Sequence, residues 1–409
     1  IGGALPDAVA VVNPNREDDL SGQGHLCAAG VVFVTLVRTV SILRERGAQT
    51  AAPDLLGWLD LVALATVCDV VPLVGVSRAF VVKGLVAMRR MANAGLSALS
   101  RVSRIGEPLN PYHLGFIIGP RINAGGRIGD AALGSRLLAD DDSVTALSVA
   151  ETLDRLNQER QAMEQIMLAE AKAEADVELA AGDGPSVLVT ASDRWHAGIV
   201  GLLAARLKEH ARRPAFAINF NSTGVGTGSG RSIPGFDLGR MVRAAVDKGL
   251  LVKGGGHAMA AGITIQRDKL GDVRAFFEQW ASEDISRLRH EECIEIDAAL
   301  SADGATFALL DSLEHAGPFG SGHPQPVLVL PHHTLGDARQ VGANHLRLEL
   351  RSQTGARLQA MAFRAVDTEL GNFLFSNRGR AMHIVGNLSS NWWNGARSAQ
   401  FRVMDAALA

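Results

Sequence analysis

Residues 9–12 form a short β-branched run that ends in Asn13-Pro14-Asn15, which predicts a strand closed by a turn. Residues 26–46 are apolar along most of their length and close on Leu43-Arg44-Glu45-Arg46-Gly47; basic residues in the last turn and a glycine beyond it predict a helix end there. Residues 56–67 predict a second, almost wholly apolar helix, stopped by Pro72. Residues 151–180 contain no Gly or Pro and set Leu153, Leu156, Met163, Ile166, Met167 and Leu168 at helical spacing among charges, the pattern of one long, partly exposed helix. Residues 186–190 and 214–220 read as buried strands with a helix over 198–210 between them, a βαβ unit. Beyond Trp280 the texture changes to short runs at 293–296, 327–330, 345–350, 358–363, 382–385 and 400–403, separated by turns, which suggests a small β-barrel. The expected organisation is α/β: the later part of one α/β domain over 1–150, a connecting helix over 151–181, a second α/β domain over 182–285 and a barrel over 290–409.

Composition narrows the function. With 47% apolar residues and 40 basic against 43 acidic side chains, the chain can bury a core in each domain and is not a polybasic protein. Charge is nevertheless uneven: residues 336–403 hold nine arginines, no lysine and four carboxylates, together with Trp392 and Trp393. That combination suits single-stranded nucleic acid, through phosphate attraction and base stacking, or else a solvated barrel whose tryptophans lie in the core. Cys27, Cys68 and Cys293 are too few and too scattered for a disulfide framework or a Cys-rich zinc site, and fit a reducing, cytoplasmic setting. The longest uncharged apolar run near the start, 26–37, is short of the ~20 residues that span a bilayer. The chain opens on Ile-Gly-Gly with no signal-peptide pattern, and reads as internal to a longer protein.

Glycine, at 44 of 409 residues, exceeds the usual ~7% and concentrates in three places. Residues 119–127 put Arg121, Asn123 and Arg127 into a glycine-rich stretch, expected to be a loop where guanidinium forks and close backbone meet phosphate, or else a structural turn. Residues 228–232 carry Ser229 and Arg231 in a second glycine-rich turn, and Gly254-Gly255-Gly256-His257 form a third. Three consecutive glycines cost about 1 kcal/mol each in a regular element relative to alanine, so the third segment is expected to be a loop whose amides and imidazole face an anion. His196 lies where a strand hands over to a helix, an anion position by virtue of free amides, or a simple cap beside a packed Trp195. Asp69 is a lone acid at the end of an apolar helix; it could ligate a hard cation such as Mn²⁺ or Mg²⁺, or bond neighbouring amides. His332-His333 reads as a solvated pair.

Six segments together carry a resemblance: CDVVPL at 68–73, GPRINAGGRIG at 119–129, LNQERQ at 156–161, WHAGIVGLLAARL at 195–207, SGRSIPGFDL at 229–238 and GGGHAMAAG at 254–262. In order and spacing they resemble the bacterial RecJ exonucleases of the DHH phosphoesterase superfamily, over almost the whole chain. The resemblance implies the C-terminal part of a DHH domain, a long connecting helix, a DHH-associated domain with the GGGH loop and a C-terminal OB-fold. It implies 5′→3′ hydrolysis of single-stranded DNA to mononucleotides, dependent on Mn²⁺ or Mg²⁺, in repair and recombination. By motif match Asp69 is a metal ligand, His257 contacts the phosphate under attack, and Ser229, Arg231 and an arginine of 121–127 hold a terminal 5′ phosphate.

The Asp-His-His triad that names the superfamily, and its preceding Asp-rich motifs, do not occur in these residues, so the 409 residues alone are expected not to cleave. Implied partners are single-stranded DNA with a 5′ end and a single-strand-binding protein or helicase, with a monomeric, membrane-free enzyme. Two rival readings stand beside this one: a DHH phosphodiesterase acting on oligonucleotides or cyclic dinucleotides, and a non-cleaving relative that binds DNA or a replication partner.

Overall fold

The computed structural model describes residues 6–47, 53–180, 182–291, 293–393 and 396–409, without the side chain of Trp393. In chain order the helices and strands are α1 (Ala28–Glu45), α2 (Leu59–Cys68), α3 (Gly75–Met88), α4 (Ala94–Val102), α5 (Gly119–Ile128), α6 (Leu133–Ala139), α7 (Ser143–Leu179), β1 (Leu188–Ser192), α8 (Val200–Ala211), β2 (Ala215–Phe220), β3 (Val225–Arg231), α9 (Leu238–Asp247), β4 (Lys253–His257), β5 (Ala260–Gln266), α10 (Leu270–His290), β6 (Ala298–Ala299), α11 (Phe307–Ala316), β7 (Leu328–Val341), β8 (His345–Arg351), β9 (Arg357–Ala362), α12 (Glu369–Ser376), β10 (Ala381–Trp393) and β11 (Ala396–Leu408). They group into two compact units: Ile1–Arg90 with Glu107–Gly115 and Ile294–Ala409, and Met91–Gly106 with Phe116–Cys293. Among the described residues no helix is long and apolar enough to cross a membrane.

In the first unit α1, α2 and α3 pack around Phe33, Leu59 and Val62, with Phe80 edge-on to Phe33 at 5.4 Å. The segment after α2 is pinned to the stretch before the barrel, where Leu73 N–H donates to Ser321 O at 2.7 Å and Arg78 Nη2 to Gly317 O at 2.7 Å. The barrel closes in the order β7-β8-β9-β11-β10 and back to β7, with β9 and β11 parallel and α12 between β9 and β10, which is OB topology. Alternate residues of its strands (Leu346, Leu348, Leu350, Ala360, Ile384, Phe401) fill the interior. Two expected strands are absent. Residues 9–12 pair with no described segment, and a strand without a neighbour leaves its amides unsatisfied. Residues 293–296 are irregular, and only the two-residue β6 behind them joins β7. His333 is buried, not solvated, with Nε2 accepting from Ala302 N–H at 3.0 Å.

The second unit is built on the sheet β1-β2-β3-β5-β4, in which β1 and β2 are parallel and the rest antiparallel. One face is covered by α9 and α10 through Met241, Val242, Phe276 and Phe277 against Phe216, Ile218 and Ile263. On the other face α7 and α8 cover β1, β2 and the adjoining part of β3, through Leu203, Leu207 and Ala171 against Leu188, Ala215 and Ala217 and through Gly201 against Ser229 and Arg231. The helix α7 begins earlier than expected, because Asp142 caps it by accepting from Thr145 N–H at 2.9 Å. Its N-terminal half is flanked by α4, α5 and α6.

All three glycine-rich segments read as loops are regular elements. Residues 119–128 are α5, with Pro120 in its first turn and Gly125 where a Cβ would lie 2.6 Å from Asp130 O. Residues 225–231 are β3, whose alternate glycines Gly226, Gly228 and Gly230 face the apolar layer: a Cβ on Gly226 would stand 2.6 Å from Phe220 Cε1, and one on Gly230 would enter the Phe216 ring. Residues 253–257 are the edge strand β4. A Cβ on Gly254 would meet Val242 Cγ1 of α9 at 2.6 Å, and one on Gly256 would meet the Ala260 carbonyl. The ~1 kcal/mol per glycine is offset because helix and aromatic rings come within reach of the strand backbone. Gly230→Ala is therefore expected to destabilise this unit by about 1–3 kcal/mol in a chemical-denaturation midpoint. Gly262→Ala, whose Cβ meets nothing within 4 Å, serves as the control and should be neutral.

Candidate functional site

The register of β3, β5 and β4 sets residues in rows across one sheet face. Arg231 lies opposite Ala260 and Ala260 opposite His257; in the next row Ser229 lies opposite Gly262 and Gly262 opposite Gly255. Directly opposed residues point to the same side, so Ser229, Arg231 and His257 share the face on which α8 lies, Ser229 and Arg231 beside its first turn and His257 beyond it. Gly254 and Gly256, predicted to bind substrate, point the other way, toward α9; Gly255 is the member of the triplet on the open face. The floor there is bare, since a Cβ on Gly255 or Gly262 would meet nothing within 4 Å. His257 stands two strand spacings, about 10 Å, from Arg231.

At the Arg231 end the face runs into the first turn of α8. A Cβ on Gly201 would sit 3.2 Å from Arg231 Nη2 and 3.3 Å from Ser229 Oγ, and no side chain caps this helix terminus. Arg231 Nη1 donates to Ser229 Oγ at 2.8 Å and to Gly230 O at 2.9 Å, with no carboxylate on it among the described residues. Arg127 comes in from α5, its Nη1 donating to Gly198 O at 3.1 Å. Burial lowers the pKa of both guanidiniums; for Arg127 the neighbouring charges of Arg160 and Arg231 add to the effect and Glu164 opposes it. Glu164 is engaged elsewhere, with Arg160 at 2.7 Å and Arg206 at 3.4 Å. Two half-buried arginines without a carboxylate of their own, a hydroxyl and the open end of a helix converge on one spot, which is a cradle for a phosphate-sized anion.

The other predicted residues divide. Asn123 is exposed one helical turn before Arg127 on the same side of α5. Arg121 is not free for an anion: Nε is held by Asp154 Oδ1 at 2.8 Å and Nη1 by Ile117 O at 2.8 Å. His196 is exposed just before α8, while Trp195 is packed and donates to Glu170 Oε2 at 3.1 Å. In the barrel Trp392 is exposed, near the tip of the β10–β11 hairpin and opposite Arg397, which overturns the reading of it as a core residue. Trp393 lies outside the described side chains.

A feature that sequence reasoning missed is a row across the barrel: Arg339 of β7 opposes Arg347 of β8, Arg347 opposes Met361 of β9, and Met361 opposes Arg402 of β11. Arg402 stacks over the Phe363 ring at 5.0 Å. Like charges placed directly opposite each other destabilise a sheet unless an anion joins them. Only strand pairing reveals the row, because its members are scattered over 64 positions of sequence.

Asp69 caps the C-terminus of α2, exposed, and its carboxylate makes no hydrogen bond or ion pair among the described residues. Such an oxygen pair suits a hard cation. Yet among the described residues no three His, Cys, Asp or Glu side chains group as a metal site. Asp69 thus fits as a single ligand and does not make a centre by itself.

Comparison with known proteins agrees with the fold. Residues 184–283 match the DHHA1 domain model and residues 296–405 the RecJ OB domain model. The chain is 35% identical to the single-stranded-DNA-specific exonuclease RecJ of Dickeya dadantii, over 98% of the chain and 71% of that protein. It is 36% identical to RecJ of Escherichia coli, over 98% of the chain and 70% of that protein. Among solved structures, RecJ of Thermus thermophilus in complex with Mg²⁺ superposes with a TM-score of 0.73 at 27% identity, covering 96% of this chain and 57% of that one. A second structure of the Thermus protein, with Mn²⁺, gives a TM-score of 0.72 at 28% identity, covering 90% of this chain and 51% of that one. With a DHHA1-type sheet, a closed OB barrel and this extent of identity to full-length relatives, the chain belongs to the RecJ family.

Proposed function

We propose that this chain is the larger part of a divalent-metal-dependent exonuclease that degrades single-stranded DNA 5′→3′ to mononucleotides. The observation that carries the reading is the spacing on the open sheet face. An anion cradle of Arg127, Ser229, Arg231 and the α8 terminus lies about 10 Å from His257 across a glycine floor, room for one nucleotide between a terminal phosphate and the next. A cradle one nucleotide from His257 that takes up a terminal phosphate favours an exonuclease over an enzyme cutting mid-strand, and one nucleotide per cut yields mononucleotides.

Asp69 serves as one oxygen ligand of the Mn²⁺ or Mg²⁺ site, in keeping with relatives whose structures carry those ions. The metal's chemistry is Lewis-acid stabilisation of phosphoryl charge and activation of water. The arginine row of the barrel, with Phe363 and Trp392, supports binding of the strand by phosphate attraction and base stacking. The resemblance supports a cytoplasmic, monomeric enzyme of repair and recombination that works alongside a single-strand-binding protein or helicase.

The test is end recognition. A charge-assisted arginine–phosphate contact is worth about 1.5–3 kcal/mol, so Arg231→Ala in the full-length protein is expected to lower kcat/KM roughly 10- to 100-fold on 5′-phosphorylated single strands. The loss should shrink on 5′-hydroxyl strands. Equal losses on both ends would mean that Arg231 does not read the terminal phosphate.

A further inference from the structure

Asn157, Arg160 and Glu164 stand one turn apart along one side of α7 and are joined in a chain. Arg160 Nε and Nη2 donate to Asn157 Oδ1 at 3.3 and 2.9 Å, and its Nη1 donates to Glu164 Oε2 at 2.7 Å. Asn157 and Arg160 are buried, and the Glu164 side chain is largely so. The other oxygen of Glu164, Oε1, accepts from Arg206 Nε of α8 at 3.4 Å, and Arg206 Nη1 donates to Glu209 Oε2 at 2.9 Å. Glu164 is thus divided between two arginines, neither of which belongs to the anion cradle.

Arg127, which does belong to it, lies within electrostatic reach of this chain. Burial lowers its pKa, the charges of Arg160 and Arg231 lower it further, and the charge of Glu164 opposes them. A carboxylate and a guanidinium that feel each other in a half-buried setting attract strongly. Even so, the two ion pairs of Glu164 among the described residues are with Arg160 and Arg206, and Arg127 Nη1 donates to Gly198 O. The bond to Oε2 runs along α7 and is backed by Asn157. The bond to Oε1 comes from another helix, through a partly exposed side chain. Without it a largely buried carboxylate oxygen loses its partner, and a turn toward Arg127 restores one.

We propose that Arg206 is a positioning residue for the anion cradle: by holding Glu164 Oε1 it keeps that carboxylate off Arg127, so that the Arg127 guanidinium stays available to a phosphate. Glu164 turned the other way competes with the phosphate for the same cation. This deepens the reading of the cradle as the end-binding site and rests on it.

The experiment compares wild type, Arg206→Met, the double variant Arg206→Met with Glu164→Gln, and Arg231→Ala, all in the full-length protein. Each is measured for kcat and KM on 5′-phosphorylated and 5′-hydroxyl single strands, with a melting curve. Methionine keeps an apolar stem in place of the arginine's and removes the charge. Arg206→Met is expected to raise KM about 3- to 10-fold on phosphorylated strands, with kcat and the hydroxyl-end KM unchanged. Adding Glu164→Gln removes the competing charge and should return KM to within about twofold of wild type. An unchanged KM in Arg206→Met, an equal rise on both kinds of end, or a double variant no better than the single one would overturn the positioning role; a lowered melting curve with no end selectivity would make Arg206 a structural residue. Arg231→Ala distinguishes this failure from a deeper one. If that variant loses selectively on phosphorylated ends while Arg206→Met does not, the positioning role alone is wrong. If Arg231→Ala loses equally on both ends, the end-binding site is misassigned and the role of Arg206 falls with it.

Discussion

Asp69→Ala in the full-length protein is expected to bring Mn²⁺-supported hydrolysis of single-stranded DNA down to background while leaving the fold intact. Its carboxylate lies exposed at the end of α2 and bonds nothing among the described residues, so removing it takes away no structural contact. Unfolding midpoints should accordingly agree with wild type within the ±0.5 kcal/mol usual for such surface positions. A metal ligand is a different matter. Stabilisation of phosphoryl charge by a bound cation is worth several kcal/mol, and at about 1.4 kcal/mol per tenfold the loss of rate is ~10³-fold or more. The second readout is calorimetric titration of the intact protein with Mn²⁺, where the variant should bind the ion more weakly or with one fewer site. Unchanged Mn²⁺ binding, or near-normal rates, would remove Asp69 from the ligand set.

The elements that the sequence made legible are those whose pattern depends on burial alone. Residues 151–180 show their helix through apolar spacing and the lack of Gly and Pro, and residues 214–220 show a strand through an apolar run interrupted only by Asn219. The candidate site is legible in a different sense: its residue types point to an anion, but composition does not give their setting. A cluster of glycines suggests a loop, whereas in β3 they are the inward members of a period-two alternation, VGTGSGR, with Thr227, Ser229 and Arg231 on the other side. The alternation was there to be seen, with glycine standing where a strand normally places Val or Ile. In β4 no such clue exists, since the need for Gly254 and Gly256 comes from the approach of α9 and the β5 backbone. The same holds for Arg121 against Arg127. Both are arginines in one glycine-rich segment, and only the position of Asp154 on α7 shows that the first is paired with a carboxylate, whereas the second bonds the Gly198 carbonyl. Pairing across strands, as in the Arg339–Arg347–Met361–Arg402 row, depends on register, which composition does not encode.

His257→Ala is expected to lower kcat about 10²- to 10³-fold with little change in KM. The ring is exposed at the end of an edge strand, and among the described residues its one hydrogen bond is that accepted from the turn at 3.3 Å, so the substitution opens no cavity and leaves no buried side chain unpaired. In the proposed function ground-state affinity is assigned elsewhere, to Arg127, Arg231, Ser229 and the α8 terminus for the terminal phosphate and to the barrel's arginine row for the strand. If His257 stabilises the phosphate in the transition state, as proposed, alanine removes a contact to an oxygen whose charge rises only as phosphorus is attacked. A contact of that kind appears in kcat and in kcat/KM to the same degree, whereas loss of a uniform binding contact raises KM alone. Steady-state kinetics on a 5′-phosphorylated oligonucleotide separate the two. The contrast with Arg231→Ala makes the comparison internal to one sheet face: the arginine variant should suffer mainly in KM and selectively on phosphorylated ends, the histidine variant in kcat on phosphorylated and hydroxyl ends alike. If His257→Ala instead raises KM and spares kcat, then His257 belongs to the grip on the strand, and the transition-state charge must be met by other donors on this face.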